Sequence, residues 1–173
     1  YEISLGLVCS EMCIRDSLNT CDETVQTTFG WFFHCFAINM ETKMKTVSDA
    51  INFIHGRPKG SRKESMDRMY ALLKVLGDPQ DQLPSAIHVT GTNGKGSVAT
   101  MTSNILRVAG YKTGLFVSPY IIDFCERIQI NNEMIPEAHL VAMTKKVAEA
   151  LKKVDIQLAP DIPTEFEVLT AVM

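Results

Sequence analysis

The chain lacks any apolar run near the roughly 20 residues that a membrane-spanning helix requires, so no membrane partner is expected. It also lacks a basic surplus. Lys and Arg number 17 against 20 Asp and Glu, giving a net charge of −3 at pH 7, and the pI lies near 5.8. Nucleic-acid binding calls for a basic patch, so no nucleic-acid partner is expected either. The five cysteines are Cys9, Cys13, Cys21, Cys35 and Cys125. Cys9 and Cys13 have no matching second pair, which argues against a zinc site and against a disulfide framework. Free thiols in a reducing compartment, and hence a cytoplasmic protein, are the expectation. The N-terminal region has no basic stretch leading into an apolar one, as a signal peptide would. What is present is ordinary for a globular chain: 46% hydrophobic residues over 173 positions, enough for one domain with a core.

One segment carries most of the information. His88 to Ser97 read H-V-T-G-T-N-G-K-G-S, after the apolar lead-in Ala86-Ile87 and before a helix-compatible stretch, Ser97 to Ala109. Strand, glycine loop with one lysine, then helix is the layout of a phosphate cradle. Gly91, Gly94 and Gly96 let the backbone turn tightly and present N–H groups to phosphate oxygens. The helix N-terminus adds partial positive charge. Lys95 reaches toward β and γ phosphates, and the Ser97 hydroxyl suits a magnesium ion. The common G-x-x-x-x-G-K-[ST] pattern fits imperfectly, because Val89 and Gly96 stand where Gly and Ser or Thr are usual. A glycine turn that binds nothing is the alternative.

The rest of the chain divides near residue 44. Residues 18–43 show no sustained periodicity, and Leu7 to Ser17 is similar to translated sequencing-adapter DNA. Residues 1–43 are therefore expected to be non-native or disordered, with 1–17 an artefact and Met40 or Met44 the native start. From Thr46 the order improves. Val47, Ala50, Ile51 and Ile54 recur at helical spacing, and Met66, Met69, Tyr70, Leu73 and Leu76 form a second apolar stripe. Val98, Met101, Ile105 and Val108 are the expected buried side of the helix after the glycine loop. Thr113 to Val117 and Arg127 to Ile130 read as strands, with a turn at Asn131-Asn132 and a pairing segment at Met134-Ile135. A helix is expected from Pro136 to about Lys153, then a loop with prolines, then a helix from Thr164. Strand-loop-helix-strand order predicts an α/β fold, a parallel sheet with flanking helices, whose ligand sits at the carboxyl ends of the strands.

The T-G-T-N-G-K-G-S string resembles the ATP loop of the Mur ligase superfamily. Its G-K-G-S ending is similar to the folate branch, the folylpolyglutamate synthases and dihydrofolate synthases. Leu115 to Ile130 resembles that branch's segment with Ser-Pro-His and then Asn-Glu-Arg-Ile, with Tyr120 in place of His and Cys125 in place of Asn. Pro163 to Glu167 looks like its T-x-F-E stretch. The resemblance implies a P-loop, Mur-ligase-like ATPase domain over residues 44–173, truncated relative to the family. It implies ATP and Mg2+ as cofactors, with ATP on Thr92, Asn93, Gly94, Lys95, Gly96 and Ser97, and Lys95 catalytic. It implies magnesium contacts at Ser118 and Glu167, and a substrate contact at Lys63, Glu64 and Ser65.

The residues themselves leave alternatives at each carry-over. Thr164-x-x-Glu167 is also a capping box, Ser118-Pro119 is also a turn, and Ser61 or Ser65 suits a helix cap. Glu126 and Arg127 are expected to pair and shape their loop. The implied reaction adds L-glutamate to tetrahydrofolate or dihydropteroate through an acyl phosphate, in a monomer whose partners are small molecules. The alternatives are a Mur ligase on another substrate and a nucleotide-binding piece without activity of its own. Residues 44–173 alone are expected to turn over negligibly.

Overall fold

The computed structural model describes residues 4–9, 44–60 and 65–173. They fall into two compact units. The first contains the N-terminal strand and Gln80–Glu137; the second runs from residue 44 to Pro79 and from Ala138 to Met173. Among the described residues no helix is long and apolar enough to cross a membrane.

The first unit is α/β. Strands β1 (Ser4–Cys9), β2 (Ala86–Val89), β3 (Lys112–Phe116), β4 (Ile128–Ile130) and β5 (Glu133–Met134) form one sheet in the order β2-β1-β3-β4-β5. β1 runs parallel to both neighbours, with Gly6 opposite Ala86 on one side and Gly114 on the other. β4 is antiparallel to β3, and β5 to β4. The sheet is therefore mixed, and β2 and β3 are joined in sequence without touching in the sheet. Ser4–Cys9 lies inside the stretch expected to stand apart from the fold, yet takes a strand place within it; the remainder of residues 1–43 lies outside the described residues.

Helix α3 (Lys95–Val108) connects β2 to β3. Its expected buried side is corrected by the structure. Val98, Met101, Ile105 and Val108 are 50, 60, 68 and 79% exposed, whereas Ala99 and Ser103 are fully buried. Ala99 packs with Leu115, flanked by Val89, Leu106 and Val117. Positions 99, 103 and 106 also recur at helical spacing, and the small side chains of Ala99 and Ser103 let the helix approach the sheet closely. Burying Ser103 costs little because its hydroxyl lies 3.2 Å from Thr113 Oγ1 and from Asn132 Oδ1. Asn131 and Asn132 take positive φ, 53° and 66°, which asparagine tolerates better than most residues.

The second unit is helical. Helix α1 (Val47–His55) starts at a full capping box between Thr46 and Asp49 and buries Ala50, Phe53 and Ile54. Helix α2 (Asp67–Val75) is rotated from the expected stripe: Met69 and Leu72 are buried beside Arg68, while Met66 and Tyr70 are exposed. Arg68 turns inward because its guanidinium finds two carboxylates there, Asp161 at 2.8 Å and Glu167 at 3.1 Å. Helix α4 (Glu137–Leu158) runs five residues past Lys153. Helix α5 (Glu165–Val172) begins at the predicted cap, Thr164. Buried Arg57 bonds both oxygens of Asp155 at 2.7 and 2.8 Å and the Pro163 carbonyl at 3.1 Å. That guanidinium ties α1 to the α4–α5 connection, and only such complete pairing makes a charge tolerable there.

Candidate active site

The glycine loop lies between β2 and α3 in the first unit. Gly91 and Gly94 have φ of +148° and +78°, conformations that side chains oppose. Gly94 is also the N-cap of α3, and as glycine it makes no side-chain cap. The helix dipole points its positive end at whatever occupies the loop, which suits an anion. No acidic residue stands in that turn to compete. Lys95, the first helical residue, is 8% exposed. Its ammonium donates to the Gly91 carbonyl at 2.7 Å and to the Thr92 carbonyl at 3.3 Å.

A cleft of about 730 Å³ opens here. Thr92, Asn93, Gly94, Lys95, Gly96 and Ser97 line it, so the predicted loop residues are brought together. Ser118, predicted separately, lines the same cleft. It follows β3 at a cis Ser118–Pro119 peptide. Arg127 donates from Nη1 to the Ser118 hydroxyl at 3.2 Å. The Arg127 guanidinium in turn lies 5.1 Å from the Tyr120 ring centre and 5.3 Å from that of Phe124, the range of cation–π attraction. The end of β3 and the 3-10 turn Phe124–Arg127 thus hold Ser118 in place.

The expected pairing of Glu126 with Arg127 is replaced by another arrangement. The Glu126 carboxylate accepts from the backbone N–H groups of Ile121 at 2.8 Å, Ile122 at 3.2 Å and Asp123 at 3.1 Å. The Ile121 amide, with help from Asp123, holds its carboxyl below the ordinary range. Cys125, where the family segment has Asn, is buried, and burial, with the Asp123 carboxylate, pushes its thiol up to about 11.

Glu167 belongs to the second unit. Both alternatives for it were open, and the capping box is formed: Oε2 accepts from Thr164 N at 2.8 Å and Thr164 Oγ1 at 2.9 Å. Arg68 Nε donates to both carboxylate oxygens, at 3.2 and 3.1 Å. The carboxylate is thus already engaged by an ion pair and a cap. Among the described residues no group of three His, Cys, Asp or Glu side chains is gathered for a metal. Lys63 and Glu64 lie outside the described residues. Ser65 Oγ accepts from the Asp67 amide at 3.0 Å, a cap-like contact at the start of α2.

Sequence reasoning missed Ile121, Glu126 and Gln129 as cleft-lining residues. The one available signal was the Ile121-Ile122 doublet, apolar without any helical or strand period.

No family model matches the chain. Individual relatives do. Folylpolyglutamate synthase from Lacticaseibacillus casei is 42% identical over 124 residues, which is 72% of this chain and 29% of that enzyme. Dihydrofolate synthase/folylpolyglutamate synthase from Bacillus subtilis is 42% identical over 123 residues, 71% of this chain and 28% of that enzyme. Among solved structures, an FPGS–AMPPCP–folate complex superimposes with a TM-score of 0.69 at 41% identity, covering 74% of this chain and 31% of that one. Folylpolyglutamate synthase from Thermotoga maritima gives 0.64 at 36% identity, covering 73% and 28%. The chain thus spans under a third of the length of these relatives. Sequence identity and fold agree with them, and over the matched region the chain belongs to the folylpolyglutamate synthase/dihydrofolate synthase family.

Proposed function

We propose that this region is the nucleotide-handling part of an ATP-dependent ligase that adds L-glutamate to a folate, either tetrahydrofolate or dihydropteroate. The observation that carries the reading is one cleft lined by Gly94, Lys95, Gly96 and Ser97 together with Ser118. The FPGS–AMPPCP–folate complex supports the ligand classes. A carboxylate oxygen of the folate attacks the γ-phosphorus of ATP and ADP leaves, giving an acyl phosphate. The glutamate amine then attacks the acyl carbon, the bond to phosphate breaks, and the amine loses its proton as the amide forms. The loop amides and Lys95 stabilise the charge that moves onto the phosphates. No covalent protein nucleophile enters.

Magnesium is part of the proposal. A serine hydroxyl is a weak neutral ligand, suited to a cation held mainly by phosphates and water. Ser118, in the cleft lining, fits that description, as does Ser97. Bound there, the ion would neutralise phosphate charge. Glu167 fits less well, because Arg68 and Thr164 already occupy its carboxylate; we assign it as the counter-ion of Arg68, with a metal contact as the alternative. Lys63, Glu64 and Ser65 stay in the proposal as a substrate contact. So do a monomeric state, a cytoplasmic location and an adapter origin for residues 1–17, the last checked by sequencing the source DNA.

Titration with AMPPCP and Mg2+ tests the reading. Saturable binding that requires Mg2+, followed by folate binding to the complex, is the expected result. Absence of AMPPCP binding overturns it. Residues 44–173 alone are expected to incorporate negligible labelled glutamate into folate; measurable incorporation would refute that expectation.

A further inference from the structure

Under the proposed function the Ser118 hydroxyl meets a cation held mainly by phosphates. A serine side chain left to itself samples several staggered rotamers, and most of them turn the oxygen away from any one position. Here the hydroxyl is held. Arg127 Nη1 donates to it at 3.2 Å. A guanidinium carries donors only, so the serine oxygen is the acceptor in that bond. One lone pair is used there. The other lone pair and the O–H hydrogen remain for the cleft, which Ser118 lines.

Arg127 is itself fixed. It is buried, and its carbonyl accepts from the Val117 N–H at 2.9 Å. That bond carries the pairing of β3 with β4 one step past the strands and sets Arg127 beside the residue that precedes Ser118. The Tyr120 and Phe124 rings stand 5.1 and 5.3 Å from the guanidinium carbon, and their own centres are 5.5 Å apart. Both rings belong to the segment that runs from Ser118 to Arg127. One short segment thus supplies the hydroxyl, the arginine and the rings that aim the arginine. A guanidinium acting directly on a nearby cation would repel it. What Arg127 offers a cation is the orientation of the serine oxygen.

We infer that Arg127 is a positioning residue, which acts on magnesium-dependent nucleotide binding through the Ser118 hydroxyl, with Tyr120 and Phe124 acting one step further back by holding the guanidinium. The inference rests on the proposed function and deepens it at the same site.

A double-mutant cycle in the full chain tests it. The quantity read is the Mg2+ concentration that gives half-maximal AMPPCP binding in calorimetry, with the unfolding midpoint of each variant measured alongside. Arg127→Met removes the guanidinium and leaves a flexible stem that still packs on the rings. It is expected to raise the Mg2+ requirement about three- to tenfold, the scale of one lost hydrogen bond, and Ser118→Ala should do much the same. The double variant should be no worse than Ser118→Ala alone, because Arg127 then has no hydroxyl to aim. Arg127→Lys, which keeps a donor, should recover part of the loss. Tyr120→Leu keeps the guanidinium and removes one ring; it should shift the requirement the same way by a smaller factor, and it replaces Arg127→Met in the cycle if that variant does not fold. Effects that multiply in the double variant overturn the inference, because Arg127 would then act independently of Ser118. A lowered unfolding midpoint with an unchanged Mg2+ requirement also overturns it, by making Arg127 purely structural. In both cases the ligase reading stands. AMPPCP binding by the wild-type chain that ignores Mg2+ removes the magnesium assignment and the inference with it, and absence of AMPPCP binding removes the ligase reading as well.

Discussion

The Lys95 ammonium sits 2.7 Å from the carbonyl oxygen of Gly91, across the loop to which both residues belong. This contact holds the positive charge beside the cleft and under the loop's own oxygens. A phosphate entering the loop offers a stronger, charged acceptor than a carbonyl. Under the proposed function the lysine would serve loop and ligand in turn. Lys95→Ala is expected to weaken AMPPCP about ten- to a hundredfold, from ~1.5–3 kcal/mol for a hydrogen bond to a charged group. Calorimetry reads it directly, and unchanged binding would remove the phosphate-cradle assignment.

Gly96 differs from its neighbours in the loop. It has no positive φ, and a Cβ built there meets no atom within 4 Å. Neither backbone strain nor packing among the described residues requires glycine at this position, so under the proposed function its small size would serve the ligand. Gly96→Ala should leave the unfolding midpoint unchanged or slightly raised, because alanine favours helix, while AMPPCP binding weakens. A variant that binds like wild type would show that close approach at residue 96 is unnecessary. Gly94→Ala should behave differently: φ of +78° makes it destabilising by about 1–2 kcal/mol.

Arg68 is the test of Glu167. If the carboxylate is a counter-ion, Glu167→Gln removes one of the two carboxylates that pair with Arg68, leaving Asp161, and lowers stability by about 1–2 kcal/mol. The Mg2+ concentration needed for AMPPCP binding should then stay the same. A shift in that requirement without loss of stability would reverse the assignment and make Glu167 a metal contact. Chemical denaturation and a magnesium titration of the same variant separate the two outcomes.

Cys125 carries a third kind of expectation. With its thiol pushed up to about 11, it is almost wholly protonated at pH 8, and only the thiolate is nucleophilic. Iodoacetamide at that pH should leave the Cys125 peptide unmodified in the folded protein and label it after denaturation, as mass spectrometry would show. Rapid labelling of the native protein would mean that the 3-10 turn opens readily.

Legibility differed from element to element, for physical reasons. The strand before the glycine loop, the helix after it and the capping box at Thr164 are local matters of periodicity and short-range hydrogen bonds, and these appear where the sequence placed them. The buried faces of α2 and α3 did not. Apolar spacing favoured Met66 and Tyr70, or Val98 and Ile105, but burial depends on partners distant in the chain. Arg68 goes inside because Asp161 and Glu167 lie more than 90 residues away in sequence and meet it there. Ser103 goes inside because Thr113 and Asn132 receive its hydroxyl.

The same division holds at the site. By itself the sequence determined the glycine loop, its lysine and the family, because a phosphate cradle is built from consecutive residues whose backbone does the binding. Only the tertiary structure decided that Ser118 joins that loop in one cleft, that Glu126 fixes the Ile121 loop instead of pairing with Arg127, and that Glu167 is engaged by Arg68. Each of those depends on which side chain a buried or cleft-lining group meets across the fold, and composition and spacing carry no record of such meetings.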